Sequence, residues 1–311
     1  MGFSSYDRSV MFAVRKRFCF SLAIAANLIA AGCTKTPVPT DHPRLTPNVV
    51  LRDVTFRSSA LFREMQYRVI FPENLSPGQR LPVVYLLHGG GGGYRDWSNY
   101  SDVARFAESG WLLVMPEGAS SYYTNAVDPQ QDRYEDYILH DLIRDVSSRF
   151  PVAEGRANRA IIGVSMGGFG AVNLALRHPD SFVFVGGISS AIDVPRRAFS
   201  IKRLRQSRHY NSIFGVHGSQ NRRDNDPFIL VRAADASTAP YFFLTCGEQE
   251  GLLPANREFA SLLAQRHLRY EFHTVRGSHD WNQWNAWLPS VFQSLSEHLP
   301  PNSYSRQPRV Q

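Results

Sequence analysis

Between residues 159 and 178 the chain passes through a β-branched run, then Gly163-Val-Ser165-Met-Gly167, then an Ala/Leu-rich stretch ending at His178-Pro179. Few folds accept that order. A strand that enters a helix through so short a turn leaves no room for side chains beside the apex. Glycines therefore stand at 163 and 167, and Ser165 is pushed into the open. The amide of Met166 and the first helical turn then lie beside the serine oxygen, where negative charge would form on an attacked carbonyl. The pentapeptide alone is common; the strand before it and the helix after it distinguish a nucleophile turn from a structural glycine turn.

The remaining chain reads as an α/β fold. Runs at 81–87 and 111–115 are continuously apolar, as strands buried on both faces are, and 49–58 and 65–71 read as a hairpin entering the same sheet. Further strands are expected at 161–164, 183–188, 241–246 and 270–275, with helices at 134–150, 254–266 and 281–298. Strands alternating with helices predict a mostly parallel sheet covered on both sides. Residues 193–235 break the rhythm, being long, basic and poor in core residues, and predict a lid inserted over the site. The folded domain is expected at 49–300, after a Pro-rich tether at 34–48 and before a polar tail at 301–311.

The first 33 residues read differently. Arg15-Lys16-Arg17 precedes an apolar run from 18 to 31 that ends Ala30-Ala31-Gly32-Cys33, the pattern of a secretory leader. Met11 is the expected start, since the residues before it add nothing to that pattern. The ending resembles a lipoprotein signal with Cys33 as the acylated residue, although Ala30 stands where leucine is usual. Export to the cell envelope follows, either lipid-anchored at the membrane or free after a plain cleavage. Of the three cysteines, Cys19 lies in the leader and Cys33 at its end, so the body keeps only Cys246 and no internal disulfide. No Cys/His spacing suggests a metal.

The formal charge is +7, of which the leader accounts for about 3. Basic residues concentrate instead between 195 and 223, where Arg196, Arg197, Lys202, Arg203, Arg205, Arg208, Arg222 and Arg223 occur without an acid. An exported chain rarely meets nucleic acid, so the cluster reads as a solvated lid face, or as an attraction for acidic polymers or lipid headgroups.

A serine hydroxyl needs a base, and the base an orienting group. In folds with this serine turn, the acid and then the histidine follow it on loops after later strands. Val275-Arg-Gly-Ser-His279-Asp280 supplies the base at His279, with Asp280 expected to cap the last helix. Cys246-Gly-Glu248-Gln-Glu250 supplies an acid at 248 or 250. A second oxyanion donor is expected from Leu87-His88-Gly89-Gly90-Gly91-Gly92-Gly93, which lacks the Gly-Lys-Ser/Thr of a phosphate loop. Tyr122, Tyr123 and Asn125, beyond the strand ending at Met115, are candidates to line the acyl or leaving-group pocket, or else pack the loop. Trp281, Trp284 and Trp287 read as a core stripe.

Together, Leu-Leu-His88-Gly-Gly with Asp96-Trp97, Met115-Pro-Glu117-Gly, Gly-Val-Ser165-Met-Gly-Gly-Phe-Gly-Ala, Cys246-Gly-Glu-Gln-Glu250 and Gly-Ser-His279-Asp-Trp resemble the “putative esterase” family of α/β-hydrolases. That family includes esterase D (S-formylglutathione hydrolase), feruloyl and acetyl-xylan esterases, and the mycolyltransferases. The resemblance spans roughly residues 80 to 290. It implies an α/β-hydrolase fold, a serine carboxylic-ester hydrolase without cofactor, and an acyl-enzyme formed on Ser165 with His279 as base. By position it makes Glu250 the triad acid, where the family usually has Asp, with Glu248 the alternative. It makes the amides of Gly90 and Met166 the oxyanion donors. The substrate would be a small-molecule or polymer-linked ester. An acyltransferase on the same scaffold, or a non-catalytic glycan- or lipid-binding homologue, are the other readings.

Overall fold

A computed structural model describes residues 40–128 and 132–302. The leader, the Cys33 site, residues 34–39 of the tether and residues 303–311 of the tail lie outside them. Eight strands form one sheet: β1 (Val49–Ser58), β2 (Arg63–Pro72), β3 (Val83–Leu87), β4 (Leu112–Pro116), β5 (Arg159–Val164), β6 (Phe184–Ile188), β7 (Tyr241–Gly247) and β8 (Tyr270–Val275). They lie in the order β1-β2-β4-β3-β5-β6-β7-β8. Only β2 runs against its neighbours; the pairs from β4–β3 through β7–β8 are parallel.

The helices are α1 (Asp96–Tyr100), α2 (Ala104–Glu108), α3 (Tyr134–Asp136), α4 (Ile143–Arg149), α5 (Met166–Arg177), α6 (Leu204–Phe214), α7 (Gln220–Asp224), α8 (Pro227–Ala233), α9 (Leu253–Gln265) and α10 (Trp281–His298). A wider π-helical turn, Tyr137–Leu142, joins α3 to α4, so the amphipathic helix expected at 134–150 is one rod with an expanded middle. Successive strand residues point to opposite faces. Val83, Tyr85 and Leu87 of β3 enter a core with Val146 of α4, Leu174 of α5, Phe228 of α8 and Phe259 of α9. Val84 and Leu86 enter a second core with Trp97, Ala104 and the α10 residues Leu288, Val291 and Leu295. Both faces are covered, which is why the central strands are apolar without alternation.

Three expectations are corrected. The tether does not extend to 48, because residues from Asp41 onward belong to the domain. The Arg68 guanidinium is fully buried and pairs with Asp53 at 2.7 Å and with Asp41 at 2.6 Å. A charge taken out of water needs such partners, and Arg44 N–H donating to the Ser98 carbonyl at 2.8 Å fixes the same segment. Likewise the tail does not begin at 301, since the Asn302 side chain donates to the Arg80 carbonyl at 2.8 Å.

Nor is the insertion at 193–235 poor in core residues. Tyr210, Ile213 and Phe214 of α6 form a small core with Val194, Ala191 and Phe169 of α5, while Phe228 and Val231 join the main one. Arg222 is 4% exposed. It donates to the carbonyls of Pro195, Arg197 and Gly215 and to Asn211 Oδ1. Basic composition hid a segment that folds around one of its own arginines.

Candidate active site

At the carboxyl end of β5 the backbone reverses through Ser165, with φ 56° and ψ −112°. A non-glycine residue adopts that conformation only when its surroundings force it. Packing supplies the force. A Cβ on Gly163 would lie 2.1 Å from the Gly167 carbonyl oxygen, and one on Gly167 would lie 2.3 Å from that of Leu87. Phe169 N–H and Ala191 N–H both donate to the Ser165 carbonyl, at 3.1 and 3.0 Å. Among the described residues seven non-glycines have positive φ, and five of them (Ala119, Tyr122, Tyr123, Ser165 and Ser189) stand on loops after β4, β5 and β6. Strain gathers at this edge of the sheet.

The structure brings Ser165, His279 and Glu250 into one line. The Ser165 hydroxyl donates to His279 Nε2 at 2.8 Å, and His279 Nδ1–H donates to Glu250 Oε2 at 2.7 Å. Glu250 follows β7, and His279 follows β8. The other acid, Glu248, is exposed, and among the described residues only its backbone is engaged, donating to the Val275 carbonyl at 2.9 Å. Asp280 accepts from Gln283 N–H at 3.1 Å and caps α10, as expected.

The second oxygen of Glu250 is held too. Oε1 accepts from the Ser189 hydroxyl at 2.6 Å, from Gly247 N–H at 2.8 Å and from the Gln283 amide at 3.4 Å. Burial alone would raise this carboxyl, but the bonds from His279, Ser189 and Gly247 outweigh it and hold it below the ordinary carboxylate range. Ser189 in turn accepts from the Trp284 indole N–H at 3.1 Å. The same indole meets the His279 ring edge to face, with centroids 5.0 Å apart. Trp284 thus touches His279 and, through Ser189, braces the carboxylate of Glu250. Sequence reasoning placed it in a core stripe, which it also joins, and missed Ser189, Gln283 and the Gly247 amide. Nothing in the pattern around them announces a role.

The glycine-rich loop after β3 lies against the serine turn: a Cβ on Gly89 would be 3.5 Å from Ser165 Cβ, and one on Gly90 3.9 Å from Met166 Cβ. Met166 opens α5, so its N–H has no partner inside the helix. His88 sets the orientation of the other amide. Gly118 N–H donates to His88 Nε2 at 2.9 Å, which leaves the proton on Nδ1, and Nδ1–H donates to the Gly89 carbonyl at 2.8 Å. That carbonyl shares a peptide plane with the Gly90 N–H, so the imidazole fixes the direction of the expected donor. The role was missed, although the Leu-Leu-His-Gly pattern flagged the residue.

The three pocket candidates divide. Tyr123 is fully buried, with its hydroxyl donating to the His88 carbonyl at 3.2 Å, and has no surface to offer a ligand. Asn125 spends its amide on Asp136, donating to Oδ1 at 3.0 Å and accepting from the backbone N–H at 3.2 Å. Tyr122 remains half-buried among Phe169, Tyr210 and Phe214, and His209 Nε2–H donates to the neighbouring Ser120 carbonyl at 2.8 Å. The insertion therefore packs on the loop after β4. Two other histidines are engaged on carboxylates, His178 on Glu135 and His273 on Glu271, each at 2.6 Å. Cys246 is a buried thiol, pushed up to about 12 by burial and by Glu250 beside it.

A sheet of this order with its serine turn after β5 is that of an α/β-hydrolase. A family described as “Putative esterase” matches residues 58–295, and the chain belongs to that family. It is similar to an acetyl esterase of Caldicellulosiruptor saccharolyticus, 26% identical over 226 residues that cover 70% of this chain and 85% of the relative. It is also similar to the diacylglycerol acyltransferase/mycolyltransferase Ag85B of Mycobacterium intracellulare, 30% identical over 262 residues that cover 73% and 78% of the two chains. Among solved structures, the fluorophosphonate-binding serine hydrolase FphF of Staphylococcus aureus superposes with a TM-score of 0.69 at 23% identity, covering 81% of this chain and 99% of that one. The chain is a carboxylic ester hydrolase.

Proposed function

We propose that this esterase works through a Ser165–His279–Glu250 triad and an acyl-enzyme. The observation that carries the reading is the unbroken line of bonds from Ser165 Oγ through His279 to Glu250. His279 Nε2 takes the hydroxyl proton as Ser165 Oγ attacks the ester carbonyl. The oxyanion is received by the amides of Gly90 and Met166, and His279 returns the proton to the departing alcohol oxygen. Water, deprotonated by the same imidazole, then releases the acid and restores Ser165. Glu250 keeps the imidazole in the Nδ1–H tautomer and steadies its positive charge. Tyr122 and the insertion resting on the loop beside it form a wall of the acyl or leaving-group pocket.

The test is hydrolysis of p-nitrophenyl esters of increasing acyl length, with Ser165→Ala alongside. Turnover should fall by roughly 10⁴-fold or more in the variant, and a fluorophosphonate probe should label Ser165. Neither turnover nor labelling would overturn the reading. An acyltransferase has one observation behind it, the 30% identity to the mycolyltransferase. It predicts that an added alcohol or sugar outcompetes water for the acyl group, measured as ester product over free acid.

Export and acylation at Cys33 rest on the leader pattern of residues 15–33. Palmitate labelling that disappears in Cys33→Ser would support them; a mature chain free of lipid would sink the acylation.

A further inference from the structure

The structure sorts the eight basic residues between 195 and 223 into two groups. Arg196 pairs with Glu258 at 2.9 Å, Arg197 with Asp193 at 2.8 Å, Arg222 is buried on backbone carbonyls, and Arg223 donates to Gln220 at 2.7 Å. These four hold the insertion together. Lys202, Arg203, Arg205 and Arg208 are exposed, and among the described residues no hydrogen bond or ion pair engages their charged groups. All four fall within seven residues.

The same short stretch exposes apolar side chains. Ile201 is 82% exposed, Phe199 49% and Leu204 36%. The Ser207 hydroxyl accepts from Ser200 N–H at 3.0 Å and ties the segment before α6 back onto the helix. α6 itself is two-sided. Ser207, Tyr210, Ile213 and Phe214 face inward, against Phe169 of the nucleophile helix and Tyr122. Leu204, Arg205 and Arg208 are left outside.

We propose that the outer surface of residues 199–208 docks on a lipid bilayer carrying anionic headgroups. Four unneutralised cations supply the attraction, and a surface of that charge is complementary to acidic phosphates. A soluble polyanion would use the cations but gains nothing from Ile201, Phe199 and Leu204. A bilayer interface takes both, with the apolar side chains at the acyl boundary and the cations among the headgroups. Each cation near an anionic leaflet is worth roughly fivefold in partitioning. Without a second attachment the contact is reversible, so the patch orients the enzyme at a surface more than it anchors it. Docking here places the bilayer on the outer side of α6, whose inner side carries the Tyr122 wall. The proposal does not depend on the catalytic assignment.

The test is co-sedimentation of the full chain with vesicles of phosphatidylcholine alone and of phosphatidylcholine mixed with phosphatidylglycerol. Any binding through residues 1–39 is common to every variant, so the readout is the ratio of anionic to neutral partitioning. The expected ratio is at least about tenfold at low salt, collapsing at high salt where charges are screened. Combined Lys202→Glu, Arg203→Glu, Arg205→Glu and Arg208→Glu should bring the ratio to one. Ile201→Ser with Leu204→Ser should weaken binding to the anionic vesicles several-fold. Phe62→Ser, at the exposed β1–β2 turn, should change neither. All variants should hydrolyse a soluble ester at the parent rate, which shows that they are folded. An unchanged ratio after charge reversal would overturn the proposal. So would full retention by the apolar pair together with equally strong binding to a soluble polyanion, which would make the partner an acidic polymer.

Discussion

Around Ser165 the backbone does the constraining, and around His279 the side chains do. The serine turn is forced by close approaches of main chain to main chain: Gly163 against Gly167, and Gly167 against Leu87. The acid–base half has one such approach, Gly247 against the Gly277 carbonyl, and otherwise relies on side chains. Glu250 sits where it does because Ser189, Gly247, Gln283 and His279 all donate to it, and because Trp284 braces Ser189 and His279 together. The two halves should therefore fail differently. Small additions break the serine half by unfolding it, whereas loss of single hydrogen bonds retunes the other half while the fold stands.

The largest effect on chemistry after loss of the serine itself is expected from Glu250→Gln. The amide preserves shape but can donate to His279 Nδ1 and favour the wrong tautomer, so kcat should drop by about 10³–10⁴-fold with an unchanged circular dichroism spectrum. A drop of less than tenfold would mean that the acid side tolerates neutralisation. Gly163→Ala should act on folding instead. Its Cβ meets a carbonyl oxygen at 2.1 Å, and overpacking of backbone costs about 3 kcal/mol or more. Thermal unfolding would show it as a large drop in Tm or as insoluble protein. A variant with parent-like Tm would erase the contrast between the two halves.

Ser189→Ala is the graded case. Losing one hydrogen bond to a charged acceptor costs about 1.5–3 kcal/mol at most, so kcat/KM should fall by roughly tenfold. Trp284→Phe, which loses only the indole N–H to Ser189, should lower kcat/KM by less. Stability follows the same group. Because the Glu250 carboxyl lies below its ordinary value of 4.5 in the folded state, its contribution is complete above that value. It is lost as pH falls through the lower folded one. Ser189→Ala should shrink this acid-side loss, read from urea midpoints between pH 5 and about 3. The smallest effect belongs to Glu248→Gln: an exposed carboxylate outside the hydrogen-bonded line should leave kcat/KM within about twofold.

Much of this was legible beforehand, and the exceptions have a common cause. All eight strands, the serine turn and α10 stand where apolar runs and glycines place them, to within two residues at most ends. The glycine loop after β3 and His279 were readable for the same reason. The tether's end and the packing of the insertion were not, and for the acid the residues alone left 248 and 250 open, with only the resemblance favouring Glu250. Asp41 belongs to the domain through the buried Arg68 beside it, and residues 193–235 fold around Arg222, which turns inward onto carbonyls. Composition counts charges and cannot say which of them face solvent.

The sequence by itself determined the fold class and marked Ser165 and His279 as candidates for nucleophile and base, because backbone sterics and burial on two faces restrict residue type position by position. The tertiary structure set Glu250, and not Glu248 two residues away in the same loop, on the hydrogen-bonded line with His279. It also gave His88, Ser189 and Trp284 their places, and divided the structural arginines from the free ones. Those outcomes depend on hydrogen-bond partners 30 to 95 residues away. A bond's direction and reach are set by the folded geometry, and no local pattern in the chain encodes them.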